Sequence, residues 1–138
     1  MKILRGTVFG GIAFFLLGWL VYGILLMDYS SANYDQSIYR ADGEMIWWAL
    51  IASNLAIALL LTLVLKWSGA KAITDGLKTG AILGFLLSLN INLSFYSMTT
   101  MFLHFSGLVV DVLVFTLMMA VIGLIIVSLW GKKSKDTE

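Results

Sequence analysis

GLVVDVLVFTLMMAVIGLIIVSLW, residues 107–130, carries a single charged side chain, Asp111, in an otherwise apolar run. A hydrocarbon layer of ~30 Å needs about 20 residues of α-helix at about 1.5 Å each, so this run is long enough to cross one. Three more runs, at about 8–27, 45–65 and 79–99, have the same length and contain no charge. Barrel strands would alternate apolar with polar residues, and none of the four runs does. The expected fold class is all-α, an integral membrane four-helix up-down bundle forming a single domain. Residues 28–44 then make an external loop, and 131–138 a short polar tail.

Composition leads to the same place. Of 138 residues, 60% are hydrophobic and 12% charged, against ~45–50% and ~25% in soluble domains. A chain this short has too much surface to hide the excess in a core, so the excess faces lipid. With no cysteine and one histidine, disulfides, thiolate chemistry and multi-His metal centres are excluded. The lack of proline removes the usual cause of kinks. A net charge of +1 gives no sign of a nucleic-acid partner.

Charge placement sets the expected orientation. Lys2, Arg5, Lys66, Lys71, Lys78, Lys132, Lys133 and Lys135 fall on one side of an up-down bundle, eight of the nine basic residues. The other side receives Arg40 with Asp28, Asp35, Asp42 and Glu44. By the positive-inside rule both termini are cytoplasmic. The first run exceeds the 7–15-residue core of a signal peptide and reads as a retained span.

Helices associate in lipid through small residues that permit close approach. Gly76, Gly80, Gly84 and Ser88 recur every four residues and form one stripe on the third span, which Asn92 and Tyr96 extend. Gly6 and Gly10 share that spacing on the first span, where Gly11 and Gly18 also recur, seven apart. These are the expected packing surfaces, within one chain or between two. Trp19, Trp47, Trp48, Trp67 and Trp130 lie toward span ends, as an aromatic belt requires.

Polar side chains inside the spans must be paired or line a cavity. Asn54, Asn90, Asn92, Tyr96, His104 and Asp111 concentrate in the outward half and form the candidate polar pocket. Asn90 and Asn92 point to nearly opposite sides of their helix; Asn92 faces a helix contact and Asn90 faces elsewhere, toward Asn54 in one arrangement. Asp111 is either a proton, cation or ligand partner at the base of an outward-open pocket, or an anion stabilised near a helix N-terminus that Ser106 caps. His104 is a loop histidine by default, and folding of the loop over the helix start would make it a pH-responsive partner of Asp111. The loop acids Asp35 and Asp42 lack an EF-hand pattern. No catalytic constellation, metal site or cofactor motif is present.

The segment Phe14-Phe15-Leu16-Leu17-Gly18-Trp19-Leu20-Val21-Tyr22-Gly23, three further spans and the late Asp111, Gly123 and Trp130 resemble a family of small bacterial membrane proteins of unknown function. The resemblance implies a four-helix inner-membrane protein without an assigned activity. The function expected from the residues is non-catalytic: an accessory subunit, scaffold or ligand-binding module in the lipid bilayer, alone, as a homo-oligomer or within a larger membrane complex. The alternative is a dimeric small-solute or ion transporter or channel built around Asn54, Asn90 and Asp111.

Overall fold

The structure, a computed structural model, describes residues 1–131; the rest of the expected tail lies outside the described residues. Helix α1 (Lys2–Leu20) runs on through a π turn at Val21–Leu25, and a short helix α2 (Met27–Asn33) follows. Three long helices come next: α3 (Trp47–Trp67), α4 (Ile73–Met98) and α5 (Phe105–Leu129). Among the described residues four helices, Lys2–Leu25, α3, α4 and α5, are long and apolar enough to cross a membrane. The fold is an all-α up-down bundle. Met1, Gly131 and the tight α3–α4 connection lie at one end, the terminus end. The 26–46 and 99–104 connections lie at the other, the loop end.

Two spans begin about six residues before their apolar runs: α1 starts at Lys2 and α4 at Ile73. Hydropathy detects only the apolar part of a helix, whereas backbone bonding continues into its charged ends. At α4 the extension is capped by Asp75, whose carboxylate accepts from the backbone N–H of Lys71 at 3.0 Å and of Ala72 at 2.9 Å.

The helices pair in chain order. α1 packs on α3 and α4 on α5, and α1 against α5 joins the two pairs. α5 is the central helix: 44% of its most apolar window is buried, against 17–22% in the other spans. The main core gathers Phe14, Ala58, Leu61, Leu65, Met119, Ile122 and Ile126.

The glycine stripe of α4 proves to be a contact within the chain. A Cβ placed on Gly76 would strike the carbonyl of Gly123, and one on Gly80 the carbonyl of Met119. The two backbones therefore touch, which only glycine allows. On α1, a Cβ at Gly6 would meet Thr62 and Ile126, and one at Gly10 would meet Ala58 and Ile126. Gly18 meets nothing within 4 Å, so it takes no part in packing. At the terminus end, the Trp130 indole N–H donates to the Lys2 carbonyl at 3.1 Å, and the Lys2 ammonium sits 5.2 Å from the centre of that ring.

Residues 28–44, expected as an external loop, are partly helical and tied down. The N–H of Asp35 donates to the Met101 carbonyl at 2.8 Å, and that of Leu103 to the Asn33 carbonyl at 2.9 Å. These two bonds clip the long connection to the α4–α5 connection. Between them Tyr34 and Phe102 meet edge to face, their centroids 5.3 Å apart. With Leu108 and Val112 they form a second, smaller core at the loop end. No local pattern marks this core in the sequence, because one tyrosine among polar neighbours has no periodicity to show it as buried.

Candidate functional site

The site starts from Asp111, six residues into α5 and so about 9 Å along the helix from its start. A carboxylate at that depth in hydrocarbon is costly unless partnered. Two neighbouring helices supply the partners. The Tyr22 hydroxyl donates to Asp111 Oδ1 at 2.8 Å, and the Asn92 amide to Oδ2 at 2.7 Å.

Local structure explains both. Asn92 is the fifth member of the every-fourth-residue series Gly76, Gly80, Gly84, Ser88, Asn92, all buried. Contact between the α4 and α5 backbones brings this face onto α5. Asn92 also donates to the Ser88 carbonyl at 2.8 Å, which holds its amide in place. Tyr22 lies inside the π turn, closed by the Leu26 N–H on the Val21 carbonyl at 2.7 Å. α1 thus widens at the residue that reaches Asp111; π turns of this kind occur frequently at functional sites.

Two clefts meet at this carboxylate. The larger, about 360 Å³, lies beneath the docked connection. Tyr22, Tyr34, Tyr39, Met27, Met101 and Asp111 line it, with Ser30, Ser31 and Gln36. The smaller, about 200 Å³, runs between α4 and α5 along Ser88, Ile91, Asn92, Phe95 and Phe115 and shares Met101 and Asp111 with the first.

Two tyrosines of the larger cleft, Tyr22 and Tyr34, are held by hydrogen bonds from their hydroxyls. Tyr34 is 5% exposed and its hydroxyl donates to the Gly107 carbonyl at 3.1 Å. Burial, and then the negative charge of Asp111, push the Tyr34 and Tyr39 hydroxyls above the usual phenol range. Both stay neutral at ordinary pH. Asp35 stands at the head of the 3₁₀ turn Gln36–Ile38, where the Ser37 hydroxyl and N–H donate to it at 2.7 and 3.0 Å and hold its carboxyl below the usual range.

Of the residues expected in a polar pocket, the structure brings together Asp111 and Asn92. Asn54 lies elsewhere, in an apolar groove of about 280 Å³ between α1 and α3, its amide donating to the Leu50 carbonyl at 2.9 Å. Asn90 is exposed on the far side of α4 and is not bonded to Asn54. Tyr96 leaves the stripe, 46% exposed, and meets Phe105 edge to face at 5.4 Å. His104 is exposed at the cap position of α5 without a side-chain cap bond, so α5 starts ahead of Ser106. The Asp111 oxygens are taken by Tyr22 and Asn92 rather than by His104.

Sequence reasoning missed Tyr22, Tyr34, Tyr39, Met27 and Met101. One signal was present: under up-down alternation all five tyrosines, Tyr22, Tyr29, Tyr34, Tyr39 and Tyr96, fall toward the end of the bundle that holds Asp111. Among the described residues, no three His, Cys, Asp or Glu side chains group as a metal ion would need. What remains is a carboxylate with about four lone-pair positions, two of them used by neutral donors, facing an aromatic-walled cleft. Comparison of the chain with protein families, with curated proteins and with solved structures finds no match.

Proposed function

We propose that this chain is a non-catalytic binding module of the bacterial inner membrane that takes a small cation from the outer side into the cleft over Asp111. The observation that carries this reading is the pairing of Asp111. Both groups that bond it, Tyr22 and Asn92, are neutral, so its charge is oriented but not cancelled. A low-dielectric site with an uncancelled negative charge favours a cation. The basic residues gathered at the terminus end support cytoplasmic termini, and the larger cleft then opens to the outer face.

A bound cation stabilises the folded state by mass action. Purified protein in nanodiscs is expected to gain thermal stability as sodium, ammonium or tetramethylammonium chloride is titrated at constant ionic strength, and Asp111→Asn to lose that gain. No gain for any cation, or the same gain in Asp111→Asn, sinks the proposal.

A further inference from the structure

We infer that the ligand is an alkylammonium, its ammonium head seated over Asp111 among Tyr22, Tyr34 and Tyr39, and its apolar tail in the smaller cleft between α4 and α5. This inference rests on the Asp111 cleft being a cation site. A calcium ion takes six to eight oxygen ligands, typically several carboxylates among them, whereas among the described residues Asp111 is the only carboxylate lining either cleft. Tyrosine rings and methionine sulfurs are suited instead to a large cation of diffuse charge, which aromatic faces attract.

The tail follows from what lies beyond the carboxylate. Asp111 and Met101 line both clefts, so the two meet at the same side chains. The smaller cleft continues to Phe115 and Ser88, four residues past Asp111 and Asn92, about 6 Å further along the helices. Apart from Ser88, Asn92 and Asp111 its walls are Ile91, Phe95, Met101 and Phe115. A bare ammonium would leave this apolar space unused, whereas a short alkyl chain fills it.

The test uses water-soluble alkyltrimethylammonium ions from methyl to hexyl, with protein in nanodiscs of phosphatidylglycerol, a lipid without an ammonium group. Binding is expected to tighten roughly fourfold per added methylene, about 60-fold from the methyl to the butyl compound, and then to level off. Ile91 is 51% exposed and lines only the smaller cleft. Ile91→Trp should flatten the series while leaving tetramethylammonium binding in place, and Phe95→Trp should repeat the effect from the next turn. Ile82→Trp, on a residue 62% exposed and outside both clefts, should leave the series unchanged. Replacing half of the lipid by phosphatidylethanolamine identifies the source: competition assigns the site to a lipid headgroup, unchanged affinity to a soluble amine. A flat series in the unmodified protein overturns the alkyl inference and leaves the cation site standing. Undiminished binding in Asp111→Asn overturns both.

Discussion

The two bonds at Asp111 act on one charge, so their contributions are coupled. Removing one donor leaves a half-buried carboxylate short of a partner, which costs more than removing carboxylate and donor together. Tyr22→Phe and Asn92→Leu are each expected to cost about 1–3 kcal/mol. In an Asp111→Leu background most of that cost should vanish, and a double-mutant cycle by thermal unfolding in mild detergent measures the difference. Equal costs in both backgrounds would mean that these bonds do not hold the charge. Asp111 was legible in the sequence because one charge interrupts an apolar run. Tyr22 was not, because a tyrosine near a span end reads as an interfacial anchor, and its bond depends on where α5 lies.

At the scale of the helices, the α4–α5 contact decides the positions of both sides of the site. Gly80 packs against the Met119 carbonyl, a backbone atom that cannot rotate away, while Gly18 faces open space. Gly80→Leu is therefore expected to force α4 from α5, at a cost of about 1–3 kcal/mol or more for overpacking, and to pull Asn92 away from Asp111. Gly18→Ala should be neutral or stabilising by up to about 1 kcal/mol, since it relieves the helix cost of glycine. Melting temperatures of the two variants check this, and equal losses would contradict the packing. The every-fourth-residue spacing showed that α4 has a packing face. Which helix it meets was beyond the sequence, because small residues favour any close neighbour.

For the whole molecule, the proposed orientation has a direct experiment. The chain has no cysteine, so single substitutions can be labelled without background. Ser37→Cys, in the long connection, should react with an impermeant maleimide on intact cells. Ser68→Cys, in the tight α3–α4 connection, should react only after permeabilisation. The reverse pattern would invert the proposed orientation and close the Asp111 cleft to the outer side. The sequence alone determined the four apolar helices, their alternation and the packing stripe on α4, since length, hydropathy and residue size are properties of single segments. Asp111 stood out for the same reason. Only the tertiary structure decided that the 26–46 connection folds down, that Tyr22 and Asn92 share one carboxylate, and that Asn54, Asn90, Tyr96 and His104 lie apart from it. Those facts depend on how helices rotate and pair, and pairing is set by the fit of backbones and side chains distant in the chain, which no local pattern records.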